Sequence, residues 1–424
     1  MARLFEEYIH NKGVNEGRIV LHSDLNNFFA SVECKKRPEL LGKPVAVCGN
    51  REDRHGIVLA KNEMAKKYGV KTAEAIWQAK NKCPGLVIVP PDYDEYVRYS
   101  RIVKEIYYGY TDMIESFGID EAWLELTGDR KVRTLEQGVC VANEIRMRVK
   151  KETGLTVSVG VSDNKVFAKL ASDFKKPDAV TLLGPCNYES VISKMDVGEM
   201  LFVGKSTRAK IHLYGINTIG DLASSNSLFM RSILGKNGES LYRDACGANV
   251  SKVARFGETE KAKSVGNSVT LPFDLSGKDD VHTVFSALAE KVAYRLRNSG
   301  FAAGTVCISV RSTELVTTEK QMQVDITSNA VEIAAAATKL YVENYDVNRP
   351  VRSVGLRATN LVSRNSSVQL SMFDTSHLTR EKRNRIDNTM DKIRSRYGAS
   401  SITHVSAMKI DMLSHNATSF AHGV

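Results

Sequence analysis

Residues 115–126 read ESFGIDEAWLEL, two short strand-like runs that meet at the acidic pair Asp120–Glu121. The second run alternates, with Ala122, Leu124 and Leu126 on one side, the period of a half-buried strand. Upstream, RIVLHSDL (18–25) reads as a buried strand that ends in a carboxylate, and 94–112 carries Val97, Ile102, Val103, Ile106 and Tyr110 at helical spacing. Downstream, Thr134 and Gln137 make a capping-box signature that opens a helix over 134–152. LTVSVGVS (155–162) then has the β-branched alternation of a strand. In order, these segments predict a βαββαβ unit.

The same order recurs further on. A strand at 264–270, a helix at 281–298, strands at 304–311 and 320–326, a helix at 329–345 and a strand at 352–359 predict a second βαββαβ unit. Its helix carries Val281, Val284, Phe285, Leu288, Val292 and Leu296 as one stripe. Between the two units, 184–250 reads as helical throughout. Within the first unit, 27–91 separates strand one from helix one and contains the helical piece KNEMAKKYG. An insertion that long at a sheet end points to function.

If the first unit is a ferredoxin-like sheet, strands one and three are antiparallel neighbours. Asp24 then lies beside Asp120 and Glu121, although Asp24 and Asp120 are 96 residues apart. Three converging carboxylates raise one another's pKa unless cations neutralise them. A pair of Mg²⁺ ions, hard and oxygen-seeking, meets that need and suits chemistry at a phosphoryl group. Taken singly, each acid also reads as a solvated residue at a strand end.

The bulk properties agree with a polyanionic partner. The 424 residues carry a net charge of +10, with 42% apolar and 25% charged side chains. No apolar run is long enough for a membrane span, and the N-terminus lacks an apolar signal core. Seven scattered cysteines without a CxxC pair argue for a reducing compartment and against a zinc site or disulfide framework.

Three segments carry a family likeness. SDLNNFFASVE (23–33), SFGIDEAWLELTG (116–128) and SVGVSDNKVFAKLASDFKKP (158–177) resemble, in order and spacing, the three signatures of Y-family DNA polymerases. The likeness is strongest to the bacterial DNA polymerase IV branch and spans roughly 18–375. It implies a multidomain α+β right-hand polymerase that copies damaged templates with low fidelity. The parts would be an N-terminal extension (1–17), a ferredoxin-like palm (18–27 and 92–183), fingers (28–91), a helical thumb (184–250), a linker (251–261) and a little finger (262–361). Residues 200–222 resemble the thumb's helix-hairpin-helix, with Lys205 in place of the usual last glycine.

Carried over residue by residue, the resemblance makes Asp24 and Asp120 ligands of two Mg²⁺ ions, with the Leu25 carbonyl assisting, and Glu121 the third carboxylate. Phe29 occupies the steric-gate position that rejects a 2′-hydroxyl; read alone, it is a core aromatic beside Phe28. The amides of Asn27 and Phe28, and Lys176, would meet the triphosphate. The sequence departs from the family pattern at three positions. Asn26 replaces an aspartate, and Glu63 and Lys66 stand where relatives place a tyrosine and an arginine on the β- and γ-phosphates. Lys66 offers a point charge without the arginine fork.

The tail (362–424) contains VQLSMFD, in which Gln369, Leu370, Met372 and Phe373 resemble a sliding-clamp docking peptide, and a basic helix at 379–398 that suits either packing on the little finger or DNA. The implied partners are primer–template DNA, a deoxynucleoside triphosphate and the bacterial clamp, for a cytoplasmic monomer. Two other readings exist: a DNA- and clamp-binding protein whose catalysis has decayed, and a palm-type nucleotide cyclase. The cyclase hairpin is Gly-Gly-Asp/Glu, whereas this one reads GIDEA.

Overall fold

The computed structural model describes residues 17–49, 56–128, 132–188, 190–258, 261–364, 377–398 and 401–402. Gln369, Leu370, Met372 and Phe373 therefore lie outside the described residues. The chain divides into two compact units, one of Met1–Gly49 and Ile57–Thr259, the other chiefly of Glu260–Val424. Both mix helices with sheet.

The first unit begins with β1 (Val20–Leu25) and α1 (Phe28–Lys36), followed by β2 (Val45–Cys48), β3 (Val58–Lys61), α2 (Glu63–Lys67), α3 (Ile76–Lys82) and β4 (Val87–Val89). Next come α4 (Tyr93–Tyr108), β5 (Ile114–Ser116), β6 (Glu121–Glu125), α5 (Leu135–Thr153), β7 (Val157–Ser162), α6 (Lys165–Phe174) and β8 (Val180–Leu182). The main sheet has the order β5-β6-β1-β7-β8, so β1 sits between β6 and β7 and is antiparallel to both. The predicted neighbourhood of strands one and three is present, with β8 added parallel to β7. The predicted capping box opens α5: Thr134 accepts from the Gln137 amide, and the Gln137 side chain accepts from the Thr134 amide.

All six residues of β1 are buried, because helices cover both faces of the sheet. Leu21 and Leu25 pack with Tyr96, Val103 and Ile106 of α4 and with Ala142 and Ile145 of α5. Val20 points the other way, to Trp123 of β6 and Ala168 of α6. Gly160 of β7 makes this second layer unusually close. A Cβ there would stand 1.9 Å from the Ala168 carbonyl oxygen and 2.3 Å from the Ser172 amide nitrogen. Only a residue without a Cβ lets the α6 backbone rest directly on the strand.

The long insertion forms its own three-stranded sheet, β3-β2-β4, around Ala46, Val58, Ile76 and Leu86. Its sheet is not apparent in the sequence, where only a helical piece stands out. After β8 the segment expected to be helical consists of short 3-10 turns and α7 (Lys205–His212), α8 (Ile219–Ala223), α9 (Ser227–Leu234) and α10 (Lys236–Ala245). The stretch read as a linker begins docked. Val253 is buried beside Trp123, the Ala254 amide donates to Glu115 Oε2 (3.0 Å), and Arg18 donates to the Ser251 carbonyl (2.7 Å).

The second unit contains β9 (Ser264–Leu275), α11 (Lys278–Asn298), β10 (Phe301–Ser312), β11 (Thr317–Thr327), α12 (Ala330–Asn344), β12 (Val351–Ser363) and α13 (His377–Tyr397). The βαββαβ element order recurs, but the strand order is β11-β10-β12-β9, which leaves the first strand on an edge. α11 and α12 cover one face through Phe285, Leu288, Val292, Ile333, Leu340 and Tyr341. α13 folds back on this unit. The Arg297 guanidinium of α11 donates to both oxygens of Asp391 (2.6 and 2.8 Å) and to Asp387 (3.0 Å), while Arg394 donates to Glu290 (2.6 Å). Among the described residues, no helix is long and apolar enough to cross a membrane.

Candidate active site

The β1–β6 register places Asp24 opposite Glu121, and the Leu25 amide donates to the Asp120 carbonyl (3.1 Å). Strand alternation points His22 and Asp24 of β1, and Glu121 and Trp123 of β6, to the α6 side of the sheet. The close seating of α6 over Gly160 therefore aims its polar residues at the acids. Lys169 pairs with Glu121 Oε2. Lys176, just beyond α6, stands 2.8 Å from Asp24 and 2.6 Å from Asp173. His22 is fully buried and bridges the layers, with Nε2 3.1 Å from Glu121 and Nδ1 2.9 Å from the Ser172 hydroxyl.

The electrostatics follow from this crowding. Burial, aided by Glu121 and Asp120, pushes the Asp24 carboxyl up to about 6 against the pull of Lys176. Burial and the neighbouring Glu121 also raise Asp120. Burial opposes the Glu121 carboxylate too, but hydrogen bonds from His22 and Lys169 prevail and hold it down to about 2. Burial lowers the His22 imidazole. Among the described residues, no three Asp, Glu, His or Cys side chains stand together in a geometry ready to hold a metal ion. What converges here is a set of oxygen donors, two of them raised in pKa, with the ammonium groups of Lys169 and Lys176 laid against them.

Next to the acids, the β1–α1 turn carries the remaining expected residues. Asn27 caps α1 with left-handed backbone (φ 51°), a conformation that asparagine tolerates better than most residues. Its side-chain amide donates to Glu63 Oε1 (3.0 Å) at the start of α2. Lys66 lies 3.7 Å from the same Glu63 oxygen. The start of α2 is thereby tied through Glu63 to the turn that follows β1. Phe28 is buried. Phe29 is half-buried and stacks flat on Tyr96, with centroids 4.1 Å apart and planes 8° from parallel. Tyr93 meets Phe29 edge-on, and the Tyr96 hydroxyl donates to buried Glu33 (2.7 Å).

Sequence reasoning passed over His22, Lys169 and the Asn27–Glu63 link. A histidine inside an apolar strand reads as core, and Lys169 is one lysine among several in 165–176; only the packing of α6 singles them out. Lys176 was expected at the triphosphate; in this structure its ammonium sits on Asp24.

The comparisons with known proteins agree with one another. The impB/mucB/samB family matches residues 23–173, and the C-terminal domain of that family matches 262–372. DNA polymerase IV of Acetivibrio thermocellus is 46% identical over 386 residues, covering 91% of this chain and 96% of that one. DNA polymerase IV 1 of Bacillus subtilis is 35% identical over 411 residues, covering 96% and 97%. A Y-family DNA polymerase chimera superimposes with a TM-score of 0.73 at 25% identity, over 81% of this chain and 99% of the other. Read with the acids at the β1–β6 junction, these likenesses place the chain in the Y family of DNA polymerases, on its bacterial DNA polymerase IV branch, as a DNA-directed DNA polymerase.

Proposed function

We propose that the chain is a translesion polymerase that adds deoxyribonucleotides to a primer 3′-hydroxyl, with pyrophosphate released, at the junction of β1 and β6. The observation that carries this reading is the antiparallel register of Asp24 with Glu121, with Asp120 adjoining. The donor set fits a hard divalent cation, because it offers only oxygens and the raised carboxyls lose their burial cost once a cation is shared. Asp24, Asp120 and Glu121, with the Leu25 carbonyl, would hold two Mg²⁺ ions. Bound there, the ions would lower the pKa of the attacking hydroxyl and stabilise the leaving group.

The protein's own side chains do the rest. Lys176 and Lys169 neutralise Asp24 and Glu121 in this structure, and Lys176 is in position to pass its charge to a triphosphate. Phe29, stiffened by the stack on Tyr96, presents a flat ring against which a 2′-hydroxyl would collide. The amides of Asn27 and Phe28, at the start of α1, suit phosphate oxygens, and Lys66 adds charge from α2. We assign the main sheet (18–27 and 92–183) as palm, 28–91 as fingers, 184–250 as thumb and 262–361 as little finger. The clamp peptide at 369–373 would bring the enzyme, as a cytoplasmic monomer, to a sliding clamp. The intact acids favour this reading over a catalytically decayed binding protein.

Primer extension tests it. Asp120→Ala and Glu121→Ala should each abolish magnesium-dependent extension while duplex binding persists; robust extension by either variant would overturn the assignment.

A further inference from the structure

His22 is a polar ring in a strand whose residues are all buried. It precedes Asp24 by two positions, so alternation sends both side chains to the α6 side of the sheet. Its cross-strand neighbour is Trp123, whose ring it meets edge-on with centroids 5.3 Å apart. A buried imidazole needs a partner for each nitrogen, and both are present. Nε2 faces Glu121 Oε2 at 3.1 Å, and Nδ1 faces the Ser172 hydroxyl at 2.9 Å. The carboxylate can only accept, which puts a ring proton on Nε2. Ser172 is itself buried, and its hydroxyl also stands 2.7 Å from the Lys169 carbonyl, so the group behind the ring is held from two sides. Its place is set by the close seating of α6 over Gly160.

We propose that His22, seated by Ser172, is a positioning residue that holds the Glu121 carboxylate ready for a divalent cation. A glutamate side chain has several torsions to fix, and a ligand whose rotamer is set beforehand captures a metal more tightly. Both donors to Glu121, His22 and Lys169, fall on the same oxygen, Oε2, which leaves Oε1 to serve the cation. The two donors respond differently when a dication arrives. Lys169 carries its charge on a long flexible stem, and the incoming cation repels it. His22 stands on the catalytic strand itself, with its ring confined between Trp123 and Ser172, so its N–H keeps its place. The imidazole therefore maintains the carboxylate's orientation through metal binding, in the way that hydrogen bonds from an outer shell orient metal-ligating carboxylates in general.

The inference rests on the reading of Asp24, Asp120 and Glu121 as metal ligands, and one set of measurements separates the two. The full chain is bound to a dideoxy-terminated primer–template and the matching nucleotide, which stops turnover, and Mn²⁺ binding is followed by electron paramagnetic resonance. His22→Phe fills the place of the ring beside Trp123 and removes both nitrogens; Mn²⁺ affinity should fall about 10- to 100-fold while duplex affinity stays that of the parent. His22→Gln returns an amide N–H where Nε2 stands and should recover most of the loss. Ser172→Ala, which only loosens the ring, should fall between the parent and His22→Phe. Nitrogen NMR of labelled histidine supplies a second readout: the His22 proton belongs on Nε2, and a ring protonated at Nδ1 alone overturns the proposal. So does a His22→Phe enzyme that melts earlier yet binds Mn²⁺ as the parent does, the result a merely structural histidine would give. If His22→Phe does not fold, the other two variants decide: Mn²⁺ affinity weakened in Ser172→Ala and near the parent's in His22→Gln supports the proposal, and equal affinity in all three proteins overturns it. Glu121→Ala tells the two readings apart. Should it bind Mn²⁺ like the parent, the metal-site reading falls; should it lose Mn²⁺ while His22→Phe keeps it, only this inference falls.

Discussion

The two βαββαβ units share an element order and differ in which strand lies at the centre. In the first, β1 is flanked by β6 and β7; in the second, β9 is an edge strand that pairs, among the described residues, with β12 alone. The difference decides where chemistry can be built. A central first strand ends between two neighbours and beneath a helix, so Asp24 meets Glu121 beside it and Lys176 above it. The first unit also opens between its first strand and helix to admit the three-stranded insertion, whereas β9 passes to α11 across Ser276 and Gly277 alone. In the second unit the buried ion pairs serve attachment: Arg297 with Asp387 and Asp391 binds α13 to the fold.

The harshest test of the contrast exchanges a glycine for alanine in each unit. In Gly160→Ala the new Cβ meets the α6 backbone at 1.9 and 2.3 Å, and backbone has no rotamer with which to yield. We expect a loss above about 3 kcal/mol, the upper range for overpacking, with extension lost as α6 lifts its lysines from the acids. In Gly266→Ala of β9 the nearest atoms are the Arg357 Cβ and the Leu356 carbonyl oxygen, both at 3.1 Å, so a shift of a few tenths of an ångström suffices. Its cost should stay under about 1.5 kcal/mol. Denaturant unfolding of both variants measures the gap, and equal costs would break the contrast.

A smaller effect isolates the sheet end itself. The Asp24 carboxyl is raised from 3.8 to about 6, so in the folded protein it favours the protonated form. Its contribution to stability is full below about pH 4 and is lost as pH rises through 6. Glu121 has the opposite sign: lowered from 4.5 to about 2, it contributes above 4.5 and loses that contribution as pH falls toward 2. Between pH 4.5 and 7, therefore, Asp24 contributes a downward slope, which the raised Asp120 shares and the lowered His22 opposes. Without divalent ions, Asp24→Asn should be more stable than the parent at pH 7, by up to about 3 kcal/mol, with the advantage gone near pH 4. Thermal unfolding at the two pH values reads this directly. Added magnesium should stabilise the parent more than the variant.

What the sequence disclosed follows the range of the interactions. The acids were legible because strand alternation and the capping pair Thr134–Gln137 are local, and because three motifs stand in a recognisable order. The order of strands in the second unit was not, since the same helices and strands are compatible with either arrangement and only long-range pairing decides. His22 and Lys169 remained hidden for a related reason: their roles depend on α6 resting on Gly160, a contact between layers. The packing of α13 lay between these cases, with its periodicity readable in advance and its partners Arg297 and Glu290 about 100 residues away.

The smallest effect concerns the insertion that the second unit lacks. Glu63 accepts a hydrogen bond from the Asn27 side chain and pairs with Lys66, so one carboxylate holds two donors beside the proposed triphosphate site. An arriving polyanion must draw Lys66 away and lie near the Glu63 charge. The carboxylate is 39% exposed, and solvent limits such a pair to about 0.2–1 kcal/mol. Glu63→Gln keeps an acceptor for Asn27 and removes the charge. It should lower the KM for the incoming nucleotide by about two- to fivefold, in line with that range, with kcat little changed. Lys66→Ala should raise KM, because it removes the cation that the triphosphate would recruit. A Glu63→Gln enzyme with higher KM would show that the charge positions Lys66 for the substrate, making the insertion a support for the nucleotide site and not a restraint upon it.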